Sequence, residues 1–268
     1  MLKGFTTPLT PAGRSSIVPP PPWNNAGIVL AIEYWADLAA VQAFLPPGFS
    51  LGPDPGYAIA HFCEWQSSSE GAAELLDPVR AQYQEFFLLI EASYGGERTF
   101  LCPFMYVDND INLYRGLIQG LPKQHAVMRM TRSYPLDNPS AAPLAAGSVF
   151  AATMTHRDHR MVEARLMLEQ EDDTQSPLGL ASSPVLGIRH FPDLAQNSGG
   201  RPLVFDIVGF TGSNKRVAEV WTGPAELSFF AGGGHELADL KPVRVGRGAR
   251  YAMGFRITDI RKIADMAS

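Results

Sequence analysis

The tightest constraint on this chain is its punctuation: short apolar or alternating runs, repeatedly cut by Gly and Pro turns. The runs are "GIVLAIEYW", "GYAIAHFCEW", "QEFFLLIEASY", "RTFLCPFMYV", "HAVMRMTRSY", "GSVFAATMTH", "MVEARLMLEQ", "PLVFDIVGF", "RVAEVW", "ELSFF" and "RYAMGFRITD". Their number and spacing suit an antiparallel barrel or sandwich, not a βαβ protein, in which helical patterns would alternate with strands. Two helices are expected beside them. One follows Asp37 and stops before Pro46-Pro47; the other starts in the Asp-rich turn at 108–110 and ends at Gly120. The prolines at 19–22 read as an extended N-terminal arm over residues 1–26, and "QEDDTQSPLGLASSP" as a plain loop. The expected fold class is α+β, mainly antiparallel β, in a single domain over residues 1–268.

Composition narrows the function. With 46% hydrophobic residues, 268 residues supply an ample core for one such domain. A net charge of −5 with no basic run argues against nucleic acid or an anionic membrane as partner. No segment reaches membrane-spanning length, and the N-terminus lacks the apolar core of a signal peptide. Cys63 and Cys102 are too few for a disulfide framework. Together these point to the cytoplasm.

The stretch "YRGLIQGLPKQHAV" at 114–127 concentrates the chemistry. Its helix carries an apolar stripe, Ile111, Tyr114 and Ile118, and a polar side, Asn112, Arg115 and Gln119. That polar side is either a solvated face or the wall of a pocket. Gly116 inside the helix costs about 1 kcal/mol against Ala, which points to close packing there. Pro122 bars further helix, and Met128 and Met130 then alternate with Arg129 and Thr131 as in a strand. Lys123 therefore stands at a helix-to-strand corner. It is one of only five lysines among 22 basic residues.

Such a lysine is either a surface amine or a positioned nucleophile. An amine attacks a carbonyl only when neutral, and with an ordinary pKa about one lysine in 2,500 is neutral at pH 7. Burial can lower that pKa by ~3–5 units, whereas a place just past a helix C-terminus favours the cation. On the run at 83–90, Phe86, Leu88 and Ile90 are core candidates, while Tyr83, Glu85 and Phe87 share the opposite face. Taken alone, Glu85 reads as an edge-strand carboxylate in water. His156, Asp158 and His159 in "HRDH" read as a hairpin turn and not a metal site. Gly232 to His235 lacks the Lys-Ser/Thr of a phosphate loop and reads as flexible loop only. No metal or organic cofactor is expected.

The run "FLCPFMYVDNDINLYRGLIQGLPK" at 100–123 resembles the acetoacetate decarboxylase family, whose lysine follows a "YVDND"-like turn. Further likeness lies at "YQEFFLLIEASY", "LGIRHFP", "VWTGPAELSFF" and "RYAMGFRITD", so it covers most of the chain from residue 27 onward. The resemblance implies a β-barrel or cone, a homo-oligomer (dimer or tetramer), Lys123 as a Schiff-base lysine and Glu85 as an active-site carboxylate. Three positions depart from the family's decarboxylases. Gln124 replaces a second lysine, Gln119 an aromatic, and Gly27 an arginine. In acetoacetate decarboxylase a neighbouring cation activates the lysine, so these exchanges speak against acetoacetate as substrate while leaving imine formation intact. The expected activity is that of a lyase that joins pyruvate or another 2-oxo acid to an aldehyde through an imine and then dehydrates the product, or runs the reverse on an unsaturated oxo acid. Gln119 and Tyr83 join Lys123 and Glu85 as catalytic candidates, and Arg115 and Tyr251 are candidates for binding the oxo acid. The alternatives are decarboxylation of a β-keto acid and non-enzymatic binding of hydrophobic carbonyl compounds.

Overall fold

A computed structural model describes residues 1–267 apart from 176, 179–182, 196–198 and 233. Its strands are β1 (Trp23–Ala36), β2 (Phe49–Leu51), β3 (Tyr57–Ser68), β4 (Gln82–Tyr94), β5 (Glu97–Val107), β6 (Lys123–His125), β7 (Val127–Met130), β8 (Val149–His156), β9 (His159–Met167), β10 (Gln170–Asp172), β11 (Val185–Phe191), β12 (Val204–Phe229) and β13 (Pro242–Asp265). The helices are α1 (Leu38–Ala43), α2 (Pro78–Ala81) and α3 (Asp110–Ile118). The mainly antiparallel α+β architecture is as the punctuation requires.

The pairing order β11-β5-β4-β3-β1-β13-β12 closes on itself, because β11 bonds both β5 and β12. Closure removes the open edges that a sheet this large would otherwise present. The C-terminal part of β12 leaves this barrel to pair with β9, and β8 and β7 follow as an outer layer. Strands β3 and β4 therefore have two buried faces. Phe86, Leu88 and Ile90 of β4 point outward into a core shared with Phe150, Met154 and Val162 of the outer layer. Tyr83 and Leu89 point inward with Val29, Ile59 and Trp65.

Several local expectations are refined. The three runs at 202–230 are one strand, β12, bent by register shifts rather than cut by turns. The supposed loop at 170–184 begins with β10, which pairs with β12; positions 176 and 179–182 lie outside the described residues. So does Gly233 of the glycine run, whose neighbours Gly232 and His235 bridge each other. β1 begins at Trp23, inside the segment read as an arm. "HRDH" is the hairpin turn expected: Arg157 and Asp158 both have positive φ between the paired His156 and His159. Of its polar residues, expected to be solvated, His156 is instead buried, its Nδ1 2.7 Å from the His125 carbonyl oxygen. Among the described residues, no helix is long and apolar enough to cross a membrane.

Candidate active site

Helix α3 places the reactive residues. Asn109 caps it, its side chain accepting from the Asn112 amide at 3.1 Å. Gly120 ends it at φ +74°, a conformation that side chains rarely adopt, and its carbonyl accepts from the Ile188 amide of β11 at 2.8 Å. The chain then enters β6, parallel to β5, with Lys123 opposite Met105.

The two faces of α3 sort differently from what polarity alone suggests. Asn112, Arg115 and Gln119 are buried. Ile111 and Tyr114 are only partly buried, packed under the N-terminal arm against Val18 and Trp23. The arm covers Ile111 and Tyr114, and Arg115 and Gln119 turn into the barrel, while Asn112 is buried beside the arm. Gly116 is the point of close packing. A Cβ there would stand 2.8 Å from Lys123 Cε and nearer still to Cγ and Cδ, so the lysine stem lies in the groove that this glycine leaves.

Within the barrel is a cavity of about 480 Å³. Lys123, Glu85, Gln119, Tyr83, Arg115 and Tyr251 all line it, so the fold brings these six candidates together. Lys123 Nζ donates to Glu85 Oε2 at 2.7 Å, and Trp65 Nε1 holds the other carboxylate oxygen at 3.2 Å. Both partners are buried, so Glu85 is an interior residue of a central strand, not an edge carboxylate in water. Its neighbours β3 and β5 cover it on both sides.

Burial pushes the Lys123 amine below its ordinary pKa. Glu85 pulls the other way, and the Arg115 guanidinium adds to the lowering by disfavouring a second cation nearby. Arg115 and Lys123 both approach the Tyr83 ring, each 5.7 Å from its centroid. Arg115 is held by Ser67 Oγ (2.7 Å), Tyr83 OH (3.0 Å) and Asn25 Oδ1 (3.3 Å). Burial, followed by the charge of Glu85, raises the Tyr83 phenol well above its usual range, so it keeps its proton. Burial does the same for Tyr251.

Position 27 cannot supply an arginine. Any Cβ there would run into the Glu64 carbonyl and the Trp65 ring. The cation that stands beside Lys123 comes from α3 instead, as Arg115. Asn25, Ser67 and Trp65, which orient the charged groups, carried no individual signal in the sequence. Trp65 and His61 could have been found only by extending the alternation on β3. Gln119 Nε2 has no hydrogen-bond partner among the described residues.

The acetoacetate decarboxylase family model matches residues 6–266. No curated protein sequence matches the chain. Among solved structures, the enduracididine biosynthesis enzyme MppR complexed with pyruvate is 33% identical, with a TM-score of 0.90 and coverage of 99% of each chain. The same enzyme has been seen with the condensation product of pyruvate and imidazole 4-carboxaldehyde, at a TM-score of 0.91 over 99% of this chain and 98% of that one. An acetoacetate decarboxylase-like enzyme from Sphingomonas wittichii RW1 is 27% identical, with a TM-score of 0.88 over 98% of this chain and 100% of that one.

Proposed function

The chain belongs to the acetoacetate decarboxylase family, and from that premise we propose that it is an imine-forming lyase that condenses pyruvate with an aldehyde and dehydrates the adduct. The observation that carries this reading is the Lys123–Glu85 pair, 2.7 Å apart and sealed inside the barrel. At that distance a proton passes directly between the partners, and the amine becomes a free nucleophile as Glu85 takes it. The likeness to MppR, a protein seen with pyruvate and with such a condensation product, supports the choice of substrate.

Lys123 attacks C2 of pyruvate, and Glu85 gives the proton it took to the carbinolamine hydroxyl, which leaves as water and gives an iminium ion. The substrate carboxylate lies toward Arg115 and the unpartnered amide of Gln119, which supply charge and a donor. Glu85 then removes a proton from C3, the iminium takes up the electron pair, and the resulting enamine attacks the aldehyde carbon. Glu85 returns its proton to the new alkoxide. Glu85 then takes the second C3 proton and passes it to the departing hydroxyl, which leaves as water, assisted by the Tyr83 phenol as hydrogen-bond donor. Hydrolysis frees Lys123 and releases an unsaturated 2-oxo acid. The sum is pyruvate plus aldehyde to oxo acid plus water.

Acetoacetate would form the same iminium, and the family favours decarboxylation as the second reading. The donors argue for the first. A carboxylate gripped by Arg115 and Gln119 is stabilised in the ground state, which opposes its loss as carbon dioxide. Borohydride reduction with pyruvate is expected to fix a three-carbon mass on the peptide carrying Lys123, and Lys123→Ala to abolish it. Pyruvate with an aromatic aldehyde should give a strongly absorbing enone. Rapid carbon dioxide release from acetoacetate, with no enone from pyruvate, would reverse the order of the two readings.

A further inference from the structure

The charged side chains among the described residues that line the cavity are Glu85, Lys123, Arg115 and Lys215. Burial keeps the protons of Tyr83, Tyr251 and Cys102 in place and leaves His61 neutral. Glu85 and Lys123 cancel each other wherever their shared proton sits, and still cancel after imine formation, because an iminium keeps the positive charge. Arg115 is held, among the described residues, by the neutral groups of Ser67, Tyr83 and Asn25. Lys215 has no ion pair or hydrogen-bond partner for its amine among the described residues. The cavity thus carries two positive charges that its own walls leave unbalanced, and charges drawn out of water call for a partner.

Strand β12 aims Lys215 inward. Ser213, Lys215 and Val217 line the cavity, while Asn214 and Arg216 between them are exposed. The register on β13 slips here, between Ser213 opposite Arg256 and Arg216 opposite Gly254, so Asn214 and Lys215 share Phe255 as their opposite residue. Asn214 takes φ +52° in this bulge, a device that re-aims side chains. On its other side Phe255 pairs with Asn25 of β1, the residue that holds Arg115. The backbone of Lys215 is therefore two strands from that anchor, about 10 Å, within reach of one pair of small substrates. Burial lowers the Lys215 pKa, so the amine itself, and not only its stem, is drawn out of bulk water. It is not sealed off, unlike the buried nitrogens of His61.

We infer that Lys215 takes the carboxylate of the second substrate, an aldehyde that carries an acid group as well as its carbonyl. The inference rests on the pyruvate–aldehyde reading of the site and adds a specificity residue and a substrate class to it. Pyruvate brings one negative charge and leaves one cation unmatched. A carboxylate on the aldehyde supplies the missing charge, whereas a phosphate, with nearly two charges at neutral pH, would overshoot it. The product is then an unsaturated 2-oxo dicarboxylic acid, with one carboxylate for each unmatched cation.

The test compares ligands within each protein, so that partial loss of folded material cancels. Calorimetry with pyruvate at saturation measures the binding of benzyl alcohol and of its 3- and 4-carboxy derivatives, which have no aldehyde to react. The wild type should bind the better of the two acids about tenfold more tightly than benzyl alcohol, the effect of one charge-assisted hydrogen bond at a half-buried amine. Added salt should narrow that gap. Lys215→Met, which keeps an unbranched stem without the charge, should bring the ratio close to one, and Lys215→Arg should retain most of it. The corresponding formylbenzoates and benzaldehyde should show the same ratios in kcat/KM with pyruvate. Benzyl alcohol bound as tightly as both acids, or a preference for acid that Lys215→Met leaves intact, would overturn the inference. Pyruvate that fails to label Lys123 would instead overturn the reaction, and the same ligands measured without pyruvate would still decide the role of Lys215.

Discussion

Replacing Gly116 by Ala sets two effects of known sign against each other. Alanine is the better helix former by about 1 kcal/mol, so an isolated α3 would gain. In the protein, the new Cβ would stand 2.8 Å from Lys123 Cε and closer still to Cγ and Cδ, where ordinary carbon contacts lie at about 3.5–4.0 Å. The lysine stem must retreat by roughly 1 Å, because α3 is pinned at both ends, by the Asn109 cap and by the Gly120–Ile188 bond. Overpacking of this kind costs about 1–3 kcal/mol, so the net change in stability is between nothing and ~2 kcal/mol of loss. The chemistry suffers more. The 2.7 Å contact between Lys123 and Glu85 is lost, and a misplacement of ~1 Å at a reacting atom costs about 10²-fold in rate. Single-turnover trapping of pyruvate by borohydride, followed by mass spectrometry beside a thermal melt, measures both. Gly116→Ala should melt within a few degrees of the wild type yet label about a hundredfold more slowly. Labelling at the wild-type rate would refute the claim that the glycine exists to seat the lysine.

Three further substitutions separate the roles around Lys123. Glu85→Gln removes the group that favours the charged amine, so borohydride trapping should extend to lower pH. Enone formation should fall by ~10²–10⁴-fold in the same variant, and a parallel loss of both would contradict the division of labour. Arg115→Met removes a neighbouring cation, so the Lys123 pKa should rise. The acid limb of imine formation should then move to higher pH, read with acetone, which has no carboxylate for Arg115 to bind. Burial remains the larger cause, so the limb should stay below that of a free lysine. Gln119→Ala should raise KM for pyruvate by about tenfold while leaving acetone trapping unaffected, and equal effects on both would remove Gln119 from the carboxylate site.

Much of this molecule is readable along the chain, because the signals are local. A helix cap at Asn109, a left-handed stop at Gly120 and the two-residue turn at Arg157-Asp158 each depend on a few neighbouring residues. The alternation on β4 likewise separates Phe86 and Leu88 from Tyr83 and Glu85 before any partner is known. Lys123 stands out through its Gly116 and Pro122 surroundings and the family-like run before it.

What the tertiary structure alone decides is which surroundings each face meets. Periodicity finds the two sides of α3 but not the arm that covers Ile111 and Tyr114, since Val18 and Trp23 are remote in sequence. Without that arm, Asn112, Arg115 and Gln119 read equally well as a solvated face. The same holds for Glu85, a carboxylate whose partners, the Trp65 indole and the amine of Lys123, come from other parts of the chain. The means of lowering the Lys123 pKa was also hidden, because Gln124 stands where a second lysine was expected and Arg115 answers from one helix away. A pKa is set by desolvation and by charges within a few ångströms, and the closing of the barrel brings those neighbours together.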